Sequence, residues 1–383
     1  MSAHLDIRRV VGAEIEQVYL TACPDPQRSA GANPEARFRE LFETIAAALR
    51  KLGCRVFAER VFTTREAVPA LREARRLAYR ELDDGVDASW VCSAYPPPGG
   101  VWGVTVHAVA SGATATHPRL DSTPVTVNGT TYGRRLRVGG TDWLALAGLC
   151  ASSSSDFVAQ AEAMYACTRE VLSAHSARFS SVCRTWLWLG DILGWYEELN
   201  RVRTRFMHEE GLIPTTASGA VPASTGVGLW PTSPRGGCMM DLLACLGPDD
   251  SVELLAAAGR QQSAFQYGSA FSRAAVTRTA LGTSLFVSGT AAVGADGSSL
   301  YHDDAPSQIR RTLENVSAVL AECGASEDDV VTAVVYAKTP EVLGLYLDGH
   351  RRNWPSVNVV CDICRPELLF EVEATACWPH PPR

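Results

Sequence analysis

Two glutamates near the end of the chain, Glu371 and Glu373, have a type and spacing that suit acid–base chemistry. Apolar residues stand at positions 370, 372, 374 and 376, so the segment is typical of a strand with both carboxylates on one face. A carboxyl group that is buried beside a like charge keeps its proton and can act as a general acid. The pattern also fits a solvated sheet face or a structural ion pair, and these alternatives stay open.

Cys361 and Cys364 form a C-x-x-C pair, the second arrangement that suggests chemistry. A zinc site would need another cysteine pair or a suitably spaced histidine. A redox pair opens a helix, whereas this one lies in a predicted strand that ends before a proline. Gly226 and Gly228 belong to no G-x-G-x-x-G helix start. We therefore predict no metal site, no disulfide and no cofactor.

Composition excludes several classes of partner. The chain of 383 residues is 46% hydrophobic and carries a net charge of −7, which is typical of a globular protein without a basic footprint for nucleic acid. No apolar run approaches the roughly 20 residues that span a bilayer, so we expect no membrane partner. The first residues lack the apolar segment of a signal peptide, and twelve cysteines are scattered without a secreted framework's spacing. We expect a cytoplasmic protein.

The elements that must position Glu371 alternate between strands and helices over the last hundred residues. Residues 330–338 are β-branched, as in a strand, and Gln308 opens a segment with apolar residues at helical spacing. Gly324 ends that helix. The predicted order β-α-β-α-β-β is strand 284–293, helix 308–323, strand 330–338, helix 341–351, and strands 357–363 and 368–376.

An internal repeat extends this plan toward the N-terminus. Residues 141–205 show a strand, a helix opened by Gln160, and a second strand in which Thr185 corresponds to Thr332. Helices are also predicted at 36–51 and 64–82, without chemistry of their own. We predict an α+β fold of two units, residues 1–207 and 220–383, each a mixed β-sheet with helices on one face. The loop 211–237 between them suits a functional loop or a plain connector.

Several motifs resemble the RidA/YjgF family. These are V-S-G-T-A at 287–291, the Gln-led helix, and E-V-E-A-T-A at 371–376. Within that superfamily the whole chain resembles a chorismatase, an enzyme that removes pyruvate from chorismate in secondary-metabolite biosynthesis. P-A-S-T-G-V-G at 222–228 is similar to the family's P-x-S-T-G-I-G, and F-S-R-A-A at 271–275 to its F-[SA]-R-[AG]. Helix 195–207 resembles the segment that joins the two halves of chorismatases.

The resemblance implies a role for each matching residue. Glu371, the first glutamate of E-V-E-A, would be the acid that protonates the enol ether of chorismate, with Glu373 as its like-charged neighbour. Arg273 would grip a carboxylate, unless it serves an internal ion pair. The remaining substrate-binding residues would be Ser224, Thr225, Gly226, Arg203 and Lys338. The implied partner is chorismate, bound by a monomer or small homo-oligomer.

The product depends on two further positions. In the aromatising subtype, which makes 3-hydroxybenzoate and pyruvate, a cysteine precedes the acid by seven residues, and here that residue is Cys364. The hydrolytic subtype makes 3,4-dihydroxycyclohexa-1,5-diene carboxylate and pyruvate. A second determinant is glycine in the aromatising subtype and alanine in the hydrolytic one, and we assign it to Ala274. We expect 3-hydroxybenzoate, with the diol as the alternative.

Two other classes compete with this interpretation. An imine deaminase of the RidA type would have an arginine two residues after the proline that opens its penultimate strand. Here Pro355 is followed by Ser356 and Val357. A non-catalytic small-molecule binder on the same fold is the second competitor, and the presence of Glu371 with the P-A-S-T-G stretch favours an enzyme.

Overall fold

The computed structural model describes residues 3–12, 15–25, 33–97, 99–112, 121–150, 154–213, 219–232, 236–248 and 250–379. Six helices run along the chain, and their bounds are α1 Pro34–Leu52, α2 Val68–Tyr79, α3 Phe157–Ala174, α4 Ile192–Glu209, α5 Ala305–Glu322 and α6 Pro340–Gly349. Among the described residues, none of these helices is long and apolar enough to cross a bilayer.

The strands belong to three sheets. The first sheet contains β1 Ala3–Val11, β2 Ile15–Pro24, β3 Arg55–Thr63, β4 Ser89–Cys92 and β5 Val101–Ser111. The second contains β6 Asp121–Val127, β7 Thr130–Val138, β8 Thr141–Leu149, β9 Val182–Leu189, β10 Ala223–Val227 and β11 Cys238–Leu246. The third contains β12 Val252–Leu255, β13 Ala274–Thr279, β14 Gly282–Ala291, β15 Val330–Ala337, β16 Ser356–Val360 and β17 Phe370–Trp378.

All three sheets share one strand order. The orders are β1-β2-β5-β3-β4, β6-β7-β8-β11-β9-β10 and β12-β13-β14-β17-β15-β16, and the last two have an additional outer strand. In each sheet the strand after the first helix pairs in parallel with the strand after the second helix, and the other pairs are antiparallel. The predicted α+β class, with mixed sheets and helices on one face, is confirmed. We call residues 3–111, 121–246 and 252–378 the first, second and third units.

The glutamine near the start of α3 and of α5 has a structural role. The Gln308 side chain is buried, donates to the carbonyl of Glu367 at 2.8 Å and accepts from the amide of Leu369 at 2.8 Å, so it holds the chain where β17 begins. Gln160 likewise accepts from the amide of Gly237 at 2.6 Å, just before β11. In both units the glutamine side chain therefore connects the first helix to the backbone where the last strand begins, and we call this contact a clamp.

The two copies that the sequence repeat predicted are the second and third units. The first unit is a third copy of the same arrangement. Register makes Thr332, on β15, equivalent to Arg184 rather than to Thr185, because they pair with Thr375 and Leu243 at the same positions of β17 and β11. Thr332 follows Gln308 by the same number of residues as Arg184 follows Gln160. In the first unit the same spacing puts Ala36 where a glutamine would stand, so the sequence signal is missing there.

The three units contact each other in a ring. Strand β3 of the first unit lies against β7 and β8 of the second, β9 and β10 of the second lie against β13 and β14 of the third, and β15 and β16 of the third lie against β2 and β5 of the first. The inner sheet faces share one apolar cluster, with Phe62, Trp188 and Phe286 among its members. Head-to-tail contacts of this kind close into a ring when the rotation permits it.

The loop predicted at 211–237 is partly a strand. Residues 214–218 and 233–235 lie outside the described residues, but Ala223–Val227 forms β10 and pairs in parallel with β9. The division into domains at residues 207 and 220 stays a prediction. The second sheet does not follow it, since β10 and β11 complete a sheet whose other strands precede residue 207.

Candidate active site

A pocket lies where the second and third units meet. Its empty space is about 540 Å³, including the part that is open to solvent. The second unit supplies residues from α4 and β10, and the third supplies the end of β14, the start of β17 and the segments before β13 and after β16. The lining residues are Tyr196, Arg203, Ser224, Gly226, Tyr267, Ser269, Phe271, Arg273, Gly289, Ala291, Val293, Cys364, Arg365, Leu368 and Glu371.

Glu371 is the acidic group of this pocket. Its side chain is buried, and Phe370 and Val372 on either side of it face the helices of the third unit. Burial raises the pKa of Glu371 from its ordinary value of 4.5 to about 8; the like charge of Glu373 acts in the same direction, while Arg184 and Arg273 oppose it. Glu371 therefore carries a proton at neutral pH and can donate it.

Gly289 leaves the space that the Glu371 carboxyl occupies. A Cβ on Gly289 would lie 2.1 Å from Oε1 of Glu371 and 3.1 Å from the methyl carbon of Thr225. Real Cβ atoms do not approach this closely, so a larger residue at this position would displace the carboxyl group. The glycine of the V-S-G-T-A motif is thus explained by contact with the acid.

Glu373 forms a structural ion pair with Arg184, which is one of the alternatives that the sequence left open. Arg184 of β9 donates to its Oε2 at 2.8 Å, and the Trp186 indole donates to its Oε1 at 2.9 Å. Both donors come from the second unit, and the Arg184 side chain is 2% exposed. The two glutamates therefore share a face but have different environments, one in the pocket and one in an inter-unit ion pair.

Three arginines and two aromatic rings alternate along the pocket wall. The guanidinium carbons of Arg203 and Arg273 lie 5.7 and 5.2 Å from the centre of the Phe271 ring. Those of Arg273 and Arg365 lie 5.4 and 5.0 Å from the centre of the Tyr267 ring. Stacking on aromatic faces keeps the cations separate and oriented. Sequence analysis named Arg203 and Arg273 but missed Arg365.

Two of these arginines have unused donors. Nε of Arg203 and Nη2 of Arg273 are buried and have no hydrogen-bond acceptor among the described residues. Arg203 donates through Nη2 to Asn200, and Arg273 through Nε to the carbonyl of Gln262 at 3.0 Å. A buried donor without an acceptor is costly, so these groups favour a ligand with oxygen acceptors such as carboxylates.

The stretch Ser224–Gly226 contributes differently from what the sequence suggested. Ser224 and Gly226 line the pocket, but the amide of Ser224 donates to the Ser288 hydroxyl at 2.8 Å and is not turned to a ligand. Thr225 lies behind the pocket, where its hydroxyl accepts from Arg184 at 2.6 Å and from the amide of Gly289 at 2.9 Å. These residues are held by the strand β10, which pairs with β9, and do not belong to an open loop.

Cys364 lines the pocket beside Glu371. Burial raises the pKa of its thiol to about 12, and the charge of Glu371 adds to this effect. The thiol therefore stays protonated at neutral pH, which excludes a role as a base and leaves those of a weak donor or a side chain that shapes the pocket. Cys361, the other member of the pair, is buried, and both are free thiols.

Ala274, predicted to influence the product from the substrate site, and Lys338, predicted to bind substrate, do not line the pocket. Ala274 follows Arg273 along the chain, so the alternation of a strand turns it to the core under the helices, where it is fully buried. The ammonium group of Lys338 donates to the carbonyl of Pro366 on the protein exterior. Both assignments are corrected by the geometry.

Tyr196, Tyr267 and Gly289 are site residues that sequence reasoning missed. The two tyrosines belong to none of the short sequence motifs that resemble the family. They line the pocket because α4 and the turn before β13 pack against it. Burial raises the pKa of both hydroxyls, so they remain neutral donors. Gly289 was visible in the V-S-G-T-A motif, although its role depends on Glu371.

The equivalent positions at the other two inter-unit contacts carry no acid. Register makes Met239 of β11 the counterpart of Glu371, since Met239 pairs with Trp188 as Glu371 pairs with Tyr336. In the first unit a bulge shifts the register at this place, and the strand residues there are Val101 and Trp102, neither of which is an acid. Among these equivalent positions, a carboxyl group is therefore present at the contact between the second and third units, where Glu371 lies.

Comparison with known families finds similarity in the third unit, which carries Glu371. The family model described as Endoribonuclease L-PSP matches residues 262–378. A RutC family protein of Pyrococcus abyssi is 30% identical over 105 residues, which are 25% of this chain and 80% of the relative. This chain belongs to the RutC family. The family model's match spans the third unit from β13 to β17 and includes Glu371.

One solved structure extends the likeness in fold to most of the chain. A chorismatase of known crystal structure covers 84% of this chain with 93% of its own, at a TM-score of 0.59 and 19% sequence identity. A protein of the conserved Rid family from Yersinia pestis covers 33% of this chain with 98% of its own, at a TM-score of 0.27 and 20% identity. The predicted likeness to a chorismatase within the RidA/YjgF-like superfamily is thus confirmed for the fold.

Proposed function

We propose that this protein is a chorismatase, which cleaves the enol ether of chorismate and releases pyruvate. The observation that supports it most is a carboxylic acid, Glu371, held protonated in a pocket lined by three arginines. A substrate with two carboxylates and an acid-labile enol ether needs this combination. The chorismatase fold agrees with the proposal.

Glu371 supplies the proton in this reaction. Its carboxyl group protonates the terminal methylene carbon of the enol ether, and the ether oxygen stabilises the cation that forms at the neighbouring carbon. The bond between the ring and the ether oxygen then breaks, and its electron pair stays on that oxygen, which becomes the carbonyl oxygen of pyruvate. The ring rearranges and aromatises by losing a proton, which returns to the Glu371 carboxylate. Arg203 and Arg273 offer their unused donors to the substrate carboxylates. No cofactor is required, because no electrons are gained or lost overall.

The product we propose is 3-hydroxybenzoate. Chorismate has the same atoms as 3-hydroxybenzoate and pyruvate together, so this route consumes no water, whereas the diol requires one. Cys364 supports the aromatic product because its protonated thiol lies in the pocket beside the acid. Ala274 no longer argues for the diol, since it lies in the core. We place this reaction in the cytoplasm, in keeping with twelve free thiols.

The test is to mix the purified protein with chorismate, to measure pyruvate with lactate dehydrogenase and to identify the ring product by chromatography. We expect equal amounts of pyruvate and 3-hydroxybenzoate. The diol in place of 3-hydroxybenzoate would keep the chorismatase proposal and overturn the product. No pyruvate above the spontaneous rate would overturn the function.

Cys364→Val tests the basis of the product, because the substitution changes the volume little and removes the thiol. We expect the variant to release pyruvate and to shift its ring product toward the diol. An unchanged product would assign Cys364 to packing.

An imine deaminase is the rival enzyme, and one observation argues against it. The position of its expected arginine is held by Val357, which is fully buried and lies against Gly103 of the first unit. That side chain can neither bind a carboxylate nor reach the pocket of Glu371.

A further inference from the structure

We propose that Arg184 is a positioning residue, which from the second unit holds the Glu371 carboxyl of the third unit in place and balances the charge of Glu373 beside it. The inference rests on the proposed function, since it concerns the same acid. Arg184 lines no part of the pocket and acts through its neighbours.

Hydrogen bonds from Arg184 through Thr225 to Gly289, followed by a packing contact of Gly289, link Arg184 to the acid. Nη2 of Arg184 donates to Oε2 of Glu373 at 2.8 Å and to the hydroxyl of Thr225 at 2.6 Å. The same hydroxyl accepts from the amide of Gly289 at 2.9 Å. Gly289 in turn leaves the space that Oε1 of Glu371 fills. Losing the guanidinium would free both the strand that carries Thr225 and the backbone against which Glu371 rests.

The charges around Glu371 make Arg184 important for its protonation. Glu373 raises the pKa of Glu371, whereas Arg184 and Arg273 lower it. Removing Arg184 deletes one opposing charge and leaves Glu373 with the Trp186 indole as its remaining donor. The titratable and charged groups that face or influence Glu371 from the surrounding elements are Glu373, Arg184, Arg203, Arg273, Arg365, Tyr196, Tyr267, Tyr336, Cys361 and Cys364.

The contact between the first and second units contains an equivalent ion pair without a neighbouring acid. There Arg60 donates to Asp241 at 3.0 Å, and Arg60 and Asp241 hold the positions of Arg184 and Glu373. Beside Asp241 stands Met239 in place of Glu371. At the third contact the pair is replaced by Thr332 and Gly103. The ring therefore closes at one contact without this pair, so the pair is not a general requirement of assembly.

The experiment compares the pH dependence of kcat in wild type, Arg184→Gln, Arg184→Lys and Arg134→Gln with chorismate as substrate. Arg134 is the matched control, because it is buried, bridges the first and second units by binding Asp84 at 2.7 Å, and lies away from the pocket. We expect Arg184→Gln to lower kcat and to move its high-pH decline upward by about one pH unit, since loss of an opposite charge raises a carboxyl pKa. Arg184→Lys should retain the wild-type decline, and Arg134→Gln should lower Tm alone.

A decline that stays in place in Arg184→Gln would overturn the inference, since a structural role alone predicts lower stability and nothing else. If that variant does not fold, Thr225→Val carries the test, because valine matches threonine in volume. We expect Thr225→Val to lower kcat at nearly unchanged KM, and a wild-type kcat would contradict the inference.

A readout without substrate separates this inference from the proposed function. The titration of Glu371 is followed by ¹³C NMR of labelled glutamate carboxyls, with Glu371→Gln used to assign the signal. We expect a higher midpoint in Arg184→Gln than in wild type. A moved midpoint in a protein that releases no pyruvate would reject the chorismatase proposal and keep the role of Arg184, whereas an unmoved midpoint would reject that role.

Discussion

The burial of Glu371 links stability to pH. Its pKa is about 8 in the folded protein and near 4.5 when unfolded, so the folded state binds the proton more tightly between these values. The stability that comes from this proton is fully present below pH 4.5 and is lost as the pH rises through 8. Each pKa unit corresponds to about 1.4 kcal/mol.

Glu371→Gln therefore becomes the more stable protein at alkaline pH. The amide has the size of the carboxyl but never ionises, so it avoids the cost of a buried charge. We expect Tm of the variant to exceed that of wild type by a few degrees at pH 9 and to match it at pH 4.5. Differential scanning calorimetry at both pH values measures this. A variant that is less stable at pH 9 would show that Glu371 is ionised and well stabilised in the fold.

Gly289→Ala tests the space beside the acid. The added Cβ would meet Oε1 of Glu371 at 2.1 Å, so the carboxyl must move. We expect kcat for pyruvate release to fall at least tenfold while the fold is retained, because catalytic groups depend on placement within about an ångström. Gly344→Ala, with no atom within 4 Å of its new Cβ, is the control and should keep full activity. Equal activity of both variants would contradict the assigned contact.

At the scale of elements, the clamps of Gln308 and Gln160 connect a helix to the last strand of its unit. Replacing either by alanine leaves buried backbone groups without partners, at a cost of about 1–3 kcal/mol. We expect Gln308→Ala and Gln160→Ala to lower the midpoint of urea unfolding, while Gln266→Ala, at an exposed position, leaves it in place. Unchanged midpoints for the first two would show that water replaces the clamp.

Sequence reasoning succeeded for elements with a local signal. The apolar stripe of α5 and the alternation in β17 placed Glu371 opposite the helices because each pattern has a fixed period. β10 was missed because a short strand rich in Gly, Ser and Thr has loop composition, and its pairing with β9 is tertiary. The predicted correspondence of Thr185 with Thr332 was wrong by one residue. In a strand, a shift of one residue exchanges the two faces, so Arg184 was not recognised as the residue that faces the neighbouring unit.

At the scale of the molecule, the ion pair of Arg184 with Glu373 was beyond sequence reasoning. The two residues are 189 positions apart and in different units, and nothing local announces their contact. The first unit was also hidden, because Ala36 replaces the clamping glutamine. The pocket could be predicted in part, through Glu371, Cys364, Arg203 and Arg273, whereas Arg365 and the tyrosines reach it by packing.

The closed ring predicts the oligomeric state. Each unit already contacts both others through equivalent strands, so these surfaces are used within one chain. We expect sedimentation equilibrium at micromolar concentration to give a single species of 41.2 kDa. A species of twice or three times this mass would show that another surface assembles the chains.

The most direct test of the account is the turnover of chorismate by Glu371→Gln. Met239→Gln is the matched control, because Met239 holds the equivalent strand position at a contact without an acid. Pyruvate release is followed with lactate dehydrogenase, and chorismate binding by calorimetry. We expect Glu371→Gln to bind chorismate and to lose about 10²–10⁴-fold in kcat, while Met239→Gln keeps wild-type kcat. Near wild-type turnover by Glu371→Gln would contradict the account and move the acid elsewhere.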